Sequence, residues 1–411
     1  ALKKGKKKGV AKENLKTLSK KLVSAQGADI PAKAPSQVEM QRLINYFQHE
    51  RYVDAEALAA SLTQQFPSHP FSWKILGGIY KALGRMTDAL AAGKKAVELD
   101  PVDNQAHNSL GVILEDLGRF EEAEASYKEA ISLKPDDCGT HYNLGNAMRK
   151  LLKFEEAAAA YRQAIAVMPD YAEAHSNLGI TLQELGRLDA SEASCRQAIA
   201  ITPDYADAHY NLGNTLKELG NLEESDSCYK QAVTLKPDFA EAHNNLGSTL
   251  HELGRSEEAE ASYQKAIALK PGYAEAHHNL GVLLFESRQY NLAAEQFELS
   301  NTHKSKLYAI KCSYLQDEEL VFHEKIDLLV NQGEINAVIG SLGFGSEFKY
   351  GIKKSNPFCN DPFEYVVNTD LNEQCDFENI FVETARDVLA DNTVSYKAQG
   401  HLTNGVQTAG N

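Results

Sequence analysis

Apolar residues along most of this chain follow the spacing of amphipathic helices that come in pairs. Residues 206–239 show the pattern: three leucines at i, i+4 and i+7 fall on one face of a first predicted helix. Gly220 follows, where a residue with a left-handed backbone can end that helix. A second helix is predicted over Leu222–Leu235, and Pro237 marks the turn behind it because proline cannot continue a helix. The pattern therefore predicts a helical hairpin.

This hairpin pattern recurs with a fixed period of 34 residues. The prolines that keep this period are Pro67, Pro101, Pro135, Pro169, Pro203, Pro237 and Pro271. A Leu-Gly pair keeps the same period, with its leucines at Leu76, Leu110, Leu144, Leu178, Leu212, Leu246 and Leu280. Such a period is typical of stacked helical hairpins, in which each repeat buries its apolar stripe against its neighbours.

The repeat resembles the tetratricopeptide repeat at nearly every position of that family's pattern. In residues 70–103 the matching residues are Trp73, Leu76, Gly77, Tyr80, Ala89, Ala96 and Pro101. Gly93 departs from the pattern, since later repeats carry an aromatic residue or a cysteine there. The resemblance implies an all-α right-handed superhelical solenoid, with the first helix of each repeat on its concave side, and a role in binding partners.

The end of the periodic pattern divides the chain into predicted segments. From the N-terminus, these are a basic disordered leader at 1–35, a degenerate repeat at 36–69, seven tetratricopeptide repeats at 70–307, capping helices at 308–334 and the start of a C-terminal domain at 335–411. The last segment is turn-rich, which predicts a short, incomplete α/β or α+β domain. Because the chain begins at Ala1 rather than methionine and ends without a terminating motif, we expect a piece of a longer protein.

One column of the repeat holds polar residues that packing does not explain. Its asparagines are Asn143, Asn177, Asn211, Asn245 and Asn279. Asparagine is unfavourable inside a helix, and its amide both donates and accepts hydrogen bonds. The column, with Tyr142 and Tyr210 beside it, is therefore predicted to hold an extended peptide by its backbone. Two alternatives stay open: the column was copied with the duplicated repeat, or the asparagines cap or bridge neighbouring helices.

A second column holds histidines at the position of the family's tryptophan. Its members are Trp73, His107, His141, His175, His209, His243 and His277. Zinc requires ligand nitrogens about 2.1 Å from one ion, whereas equivalent positions of stacked helices are separated by about 8–10 Å. We interpret the histidines as packing residues and predict no metal site.

Charge limits the classes of partner. The 57 acidic and 42 basic side chains give a net charge of −15, which argues against a general nucleic-acid binder. Residues 1–35 carry ten lysines against two acidic residues, so this leader could contact nucleic acid or another acidic surface. The sequence contains no run of about 18 apolar residues, so it predicts no transmembrane segment.

Two acidic columns predict a negative groove over the later repeats. They comprise Glu173, Asp207, Glu241 and Glu275, and Glu184, Glu218, Glu252 and Glu286. A negative groove favours a basic or neutral peptide, although a solvated helix face would show the same pattern. The six cysteines lack paired or metal-binding spacing, which is typical of reduced thiols and predicts a cytoplasmic protein.

A second resemblance concerns the C-terminal residues. The runs Asn356–Val367 and Leu402–Asn411 look like the entry to a C-terminal domain of marine bacterial proteins, in which tetratricopeptide arrays precede a 2-oxoglutarate/Fe(II)-dependent oxygenase. The resemblance assigns no catalytic residue here. Phosphate-loop, nucleophile-elbow and His-x-Asp motifs are absent from the sequence.

These observations lead to one main functional prediction and one alternative. The main prediction is a protein-interaction scaffold that binds an extended peptide or partner segment in the concave groove, with no cofactor in this chain. The alternative is the substrate-recruiting arm of an oxygenase whose catalytic residues lie beyond residue 411. Only that longer protein would use Fe(II) and 2-oxoglutarate.

Overall fold

A computed structural model of the chain describes residues 34–331 and 349–350, and every regular element of these residues is helical. The helices are α1 (Gln37–Gln48), α2 (Tyr52–Gln65), α3 (Pro70–Ala82), α4 (Met86–Leu99), α5 (Asn104–Asp116), α6 (Phe120–Leu133), α7 (Cys138–Lys150), α8 (Phe154–Val167), α9 (Ala172–Glu184), α10 (Leu188–Ile201), α11 (Ala206–Glu218), α12 (Leu222–Leu235), α13 (Ala240–Glu252), α14 (Ser256–Leu269), α15 (Ala274–Glu286), α16 (Tyr290–Ser300), α17 (His303–Leu315) and α18 (Glu319–Asn331). The all-α fold class that the sequence predicts is therefore confirmed for these residues.

The chain divides into two compact units between Ala259 and Glu260, within α14. In the first unit, each repeat packs its first helix against its second helix, and the second helix packs against the first helix of the next repeat. Successive first helices also contact each other, as α3 contacts α5 and α11 contacts α13. The first helices therefore line one continuous face of this unit.

Each loop inside a hairpin turns on one residue with a left-handed backbone. Glycine fills this position in most repeats, at Gly84, Gly118, Gly186, Gly220 and Gly254. Leu152 takes the same conformation in the repeat at 138–171, with φ of 58°. The turn is therefore a property of the repeat that persists where glycine is lost.

Small residues on the first helices allow close approach of the second helices. A Cβ atom added to Gly213 would lie 2.7 Å from the ring of Tyr229. The same steric conflict would arise between Gly145 and Tyr161, at 2.6 Å. In these two hairpins the glycine of the Leu-Gly pair is thus required by the aromatic residue that faces it.

The second unit contains an aromatic cluster between α15, α16 and α17. Tyr308 stacks on Phe297 with ring centroids 5.0 Å apart, and Phe285 meets Tyr308 edge-on at 5.6 Å. Beyond it, α17 and α18 enclose a small core around Ile310, Phe322 and Ile326. None of the described helices combines the length and apolar character needed to cross a membrane.

Residues 1–33, 332–348 and 351–411 lie outside the described residues. Nearly all of the predicted leader and of the predicted C-terminal domain falls in these ranges. The runs Asn356–Val367 and Leu402–Asn411 do as well, so the oxygenase resemblance stays a prediction.

Candidate functional site: the polar face of the first helices

Four asparagines of the predicted column lie in the first compact unit, one in the middle of each of four first helices. They are Asn143 on α7, Asn177 on α9, Asn211 on α11 and Asn245 on α13. Asn211 is buried, with 7% of its surface exposed, and the other three are half-buried. Water and a ligand therefore have only partial access to these amides.

Each of these asparagines donates its Nδ2 hydrogen to the first helix of the preceding repeat. The acceptors are Asn108 Oδ1 for Asn143 at 3.1 Å, Tyr142 Oη for Asn177 at 3.0 Å, Ser176 Oγ for Asn211 at 2.9 Å and Tyr210 Oη for Asn245 at 3.2 Å. The column therefore bridges successive first helices, which is one of the alternatives that the sequence left open. This bridging does not test whether the column also binds a peptide.

Asn177 belongs to a hydrogen-bonded group that we call the Tyr142 cluster (Tyr142, Asn146, Tyr161 and Asn177). The Nδ2 atom of Asn177 donates to Tyr142 and also to Asn146 Oδ1 at 3.0 Å, and Tyr161 donates to the same Asn146 oxygen at 2.8 Å. Both amide hydrogens of Asn177 are thereby used. Its Oδ1 atom is left as the hydrogen-bonding group available to a ligand.

Burial controls the protonation of the two tyrosines in this cluster. It raises the pKa of Tyr142 and that of Tyr161. Both hydroxyls therefore stay protonated at neutral pH and keep their donor hydrogens. Their rings lie 5.9 Å apart, and the Tyr142 ring also packs against Tyr171 at 5.0 Å.

The same cluster recurs two repeats later as the Tyr210 cluster (Tyr210, Asn214, Tyr229 and Asn245). Asn245 donates to Asn214 Oδ1 at 2.9 Å, and Tyr229 donates to that oxygen at 2.7 Å. The rings of Tyr210 and Tyr229 are again 5.9 Å apart. The carbonyl oxygen of Asn245 differs from that of Asn177, because it accepts a hydrogen bond from Asn244 at 3.2 Å.

The clusters alternate with repeats that carry smaller side chains. The residues at the Tyr142 position of those repeats are Asn108, Ser176 and Asn244, all of them buried. Sequence reasoning included Tyr142 and Tyr210 but missed Asn146 and Asn214, which hold the clusters together. The signal was present, since Tyr and Asn are four residues apart in both repeats and in no other repeat of the array.

Asn279, the fifth asparagine of the column, belongs to the second compact unit and lies on α15. The neighbouring His278 contacts Ser305 on α17, with 2.8 Å between Nδ1 and Oγ. Burial, with a smaller contribution from the charge of Lys304, lowers the pKa of His278 to about 4. This imidazole is therefore neutral at physiological pH.

The histidine column has one structural contact that repeats along the chain. The Nε2 atom of each histidine lies 2.8–3.3 Å from the carbonyl oxygen of the proline six residues earlier. These histidines are His107, His141, His175, His209, His243 and His277. Trp73 donates its Nε1 hydrogen to Pro67 in the same way at 3.0 Å. Within the described ranges, no group of three or more His, Cys, Asp or Glu residues is arranged to hold a metal ion.

The acidic columns are partly neutralised by lysines. Glu252 lies 2.9 Å from Lys217, and Asp207 lies 3.5 Å from Lys236. Glu218 accepts a hydrogen bond from Gln183. The carboxylates of these columns thus carry less uncompensated charge than the sequence suggests.

Two of the described cysteines are poor nucleophiles. Cys138, Cys195, Cys228 and Cys312 form no disulfide with one another. Burial raises the pKa of Cys195 to about 12 and that of Cys228 to about 11. Neither thiol would ionise appreciably at neutral pH, and the thiolate is the reactive form.

Two tetratricopeptide repeat family models match the chain. One, described as TPR repeat, matches residues 113–151, 153–186, 184–220, 213–254 and 247–287. The other, described as tetratricopeptide repeat, matches residues 41–104. The chain belongs to the tetratricopeptide repeat family. The second match includes much of the segment at 36–69, where α1 and α2 form a helical hairpin. No curated protein sequence matches this tetratricopeptide repeat protein.

Solved structures are similar to parts of this chain. The Cut9–Hcn1 hetero-tetramer of the APC/C is 13% identical, covers 73% of this chain and 59% of its own chain, and has a TM-score of 0.50. A tetratricopeptide repeat protein from Parabacteroides merdae is 18% identical. The match covers 59% of this chain and 98% of that protein, with a TM-score of 0.49. YrrB, described as a TPR protein with an unusual peptide-binding site, is 23% identical. The match covers 46% of this chain and 97% of YrrB, with a TM-score of 0.39.

Proposed function

We propose that this tetratricopeptide repeat protein is an interaction scaffold that binds an extended peptide segment along its first helices. Tetratricopeptide repeat proteins bind protein partners, and membership of the family supports this role in general. Repeat solenoids present extended surfaces of stacked helices for this purpose. The specific proposal adds the position of the peptide and the atoms that hold it.

The observation that carries the proposal is the hydrogen bonding of Asn177. Its two amide hydrogens are used within the protein, by Tyr142 and Asn146, so the amide is held in one orientation. Its half-buried carbonyl oxygen is left as an acceptor. An acceptor held in this way would receive an N–H group of an extended peptide, whatever the peptide's sequence.

The alternation of the clusters adds a preference for side chains. The Tyr142 and Tyr210 rings are half-buried and occur on every second first helix, with buried small polar residues between them. An extended peptide would place apolar or aromatic side chains against the exposed ring surfaces. The acidic columns, although partly paired, support a basic or neutral partner over the later repeats.

We also propose the cytoplasm as the location of the scaffold. The four described cysteines form no disulfide with one another, which is compatible with a reducing compartment. Location is a secondary part of the proposal, and the peptide-binding test does not depend on it.

The test starts with random peptides displayed on phage and selected on the full chain. Binders are then measured by titration against a variant with Asn177, Asn211 and Asn245 changed to Ala. Each hydrogen bond lost should cost about 0.5–1.5 kcal/mol, so the triple variant should bind at least about tenfold more weakly.

A matched control uses three amides in register on the second helices. Gln163, Gln197 and Gln231 are exposed on α8, α10 and α12 and keep the same period of 34 residues. Their combined replacement by Ala should leave peptide affinity unchanged. Equal binding by the asparagine variant and the wild type, or failure to select any binder, would refute the proposal.

A second variant separates binding from the bridging role of the asparagines. Changing the same three residues to Asp removes the Nδ2 donors and retains acceptor oxygens. Peptide affinity should then be retained to a greater extent than in the Ala variant, in which no acceptor remains. Thermal unfolding of both variants verifies that they remain folded. If the Asp variant binds as weakly as the Ala variant while folded, the acceptor role is wrong.

A further inference from the structure

The second helices α16 and α18 expose apolar side chains to solvent. Leu292 and Leu299 on α16, and Leu320, Val321 and Leu328 on α18, leave 38–79% of their surfaces exposed. We call these five residues the outer apolar face. Single exposed apolar residues are ordinary on protein surfaces. Five of them on two neighbouring helices are unusual, and their positions in the repeat show why.

Earlier second helices carry mostly polar residues at the same positions. From α3 onward, the second helix of each hairpin begins 16 residues after the first. In this register Leu292 and Val321 are the third residues of their helices, and Leu299 and Leu328 are the tenth. From α4 to α14, the third residues are Asp88, Glu122, Glu156, Ala190, Glu224 and Glu258, and the tenth are Lys95, Glu129, Gln163, Gln197, Gln231 and Lys265. Leucine and valine therefore replace charged and amide side chains only in the last two described hairpins.

The helices α16 and α18 lie side by side. Lys325 on α18 donates a hydrogen bond to Glu298 on α16 at 2.7 Å. Val321 and Leu328 are four and three residues from Lys325, so they share its side of α18. Glu298 directly precedes Leu299 on α16. A single partner can therefore contact both helices.

The chain itself returns to this part of the protein after α18. Lys349 lies 2.6 Å from Asp317, in the loop that precedes α18. The neighbouring ring of Tyr350 packs against Phe322 in the first turn of α18, with 5.8 Å between the ring centroids. The same turn carries part of the outer apolar face. Residues 351–411 therefore continue from the edge of that face.

Residues 376–390 are the part of this continuation whose sequence fits an apolar surface. They lie outside the described residues, and their sequence predicts an amphipathic helix with Phe377, Ile380, Phe381 and Val388 on one stripe. Amphipathic helices bind by laying such a stripe on an apolar surface that other helices provide. The outer apolar face is a surface of this kind.

Covalent connection favours this segment over a separate partner. An extended chain spans about 3.3 Å per residue, so residues 351–375 are long enough to bring the segment from Tyr350 to α16 and α18. A tethered segment has an effective concentration of about millimolar. A second copy of the chain would need a similar concentration in solution to compete with it.

We propose that residues 376–390 form a helix that packs its apolar stripe on the outer apolar face. Docking removes the exposed leucines and the stripe from water together, which is favourable in proportion to the apolar area buried. This inference does not depend on the proposed function, because the outer apolar face lies on second helices and the proposed peptide site lies on first helices.

The first experiment places a photoreactive residue on the outer apolar face. Leu299 is replaced by p-benzoylphenylalanine in the full chain, the protein is irradiated, and cross-linked peptides are identified by mass spectrometry. The expected product is a cross-link to residues 376–390 within a monomer. The matched control has the same replacement at Gln231, the tenth residue of α12, and should give no cross-link to that segment.

Three other products of this experiment would overturn the inference. A cross-linked dimer would show that a second copy of the chain covers the outer apolar face. A cross-link to another part of the same chain would show that a different segment does so. Absence of any cross-link to residues 376–390 would show that the segment does not dock there.

The second experiment measures hydrogen exchange of the segment in the full chain. Leu292→Glu combined with Leu299→Lys gives α16 the residue types that α14 carries at Glu258 and Lys265. Amide exchange over residues 376–390 should become about tenfold faster or more, since a helix that loses its docking surface opens more readily. Val53→Glu changes an exposed valine on α2 and should leave this exchange unchanged.

A reciprocal variant keeps the test independent of the folding of α16. Phe381→Asp alters only the segment, so it should abolish the cross-link from position 299 and accelerate exchange over residues 376–390. Exchange in the backbone of the repeats before α16 should stay as in the wild type. If exchange over residues 376–390 is the same in the wild type and in both variants, the segment does not dock on the outer apolar face and the inference is wrong.

Discussion

At the scale of single residues, several positions combine an ordinary role in the repeat with an unusual side chain. Leu152 is the clearest case, since it occupies a loop position at which five other repeats have glycine. It has φ of 58° and leaves 74% of its surface exposed. A left-handed backbone costs a residue with a Cβ atom about 1–2 kcal/mol. The side chain recovers little of this cost, because it is mostly in water.

Replacing Leu152 with Gly should therefore raise the free energy of unfolding by about 1 kcal/mol. Denaturant titration of the full chain would measure the change. The reverse substitution, Gly220→Leu, has space around its Cβ and should cost a similar amount through backbone strain alone. If Leu152→Gly destabilises the protein, the backbone at this loop is not strained as the structure indicates.

His278 should make stability depend on pH. Its pKa is about 4 in the folded chain and near 6.5 when exposed. As pH falls from 6.5 to 4, the unfolded chain binds a proton that the folded chain does not, so stability decreases through this window. Above 6.5 and below 4 the histidine contributes no slope.

Unfolding of the wild type and of His278→Gln across this pH range would check the prediction. The variant should lose less stability on acidification than the wild type. Equal slopes would mean that the imidazole is protonated in the folded chain, next to Lys304, without cost.

At the scale of helices, the distance between the two helices of a hairpin depends on a glycine and an aromatic ring. Gly213 faces Tyr229, and no Cβ atom fits between α11 and the ring. The repeat at 70–103 differs because Gly93 takes the place of the aromatic residue. There, a Cβ on Gly77 would meet its nearest neighbours at 3.5 Å, an ordinary contact.

Gly213→Ala should consequently destabilise the chain by about 1–3 kcal/mol, since the ring or a helix must shift. Gly77→Ala is the matched control at the same position of another repeat. It should be neutral or stabilising by up to about 1 kcal/mol, because Ala is the better helix former. The denaturation midpoints of both variants test this prediction. Equal losses of stability in the two variants would contradict the steric explanation.

At the scale of the whole molecule, the chain combines a repeated architecture with a non-uniform polar surface. Net charge is −15, and ten of the lysines lie in residues 1–35. Within the first compact unit, the polar face changes every second repeat, from the Tyr142 cluster to small residues and back in the Tyr210 cluster. Near-identical repeats therefore do not make a uniform polar surface, and under the proposed function a peptide would bind in one preferred register.

Much of the architecture was predictable from sequence because it depends on local patterns. The second helix of residues 206–239 occupies Leu222–Leu235 as predicted, and Gly220 ends the preceding helix with φ of 78°. The candidate site was predictable only as a column of residue types. Whether Asn177 offers its donors or its acceptor depends on Tyr142 and Asn146, which lie 35 and 31 residues earlier.

The sequence alone determined the period, the bounds of the second helix in residues 206–239 and the membership of the family. These features follow from the positions of Gly, Pro and apolar residues within a single repeat, and no distant contact changes them. Only the tertiary structure decided that the asparagines bridge successive first helices. This bridging depends on side-chain geometry between adjacent repeats, which the residue types of a single repeat do not specify.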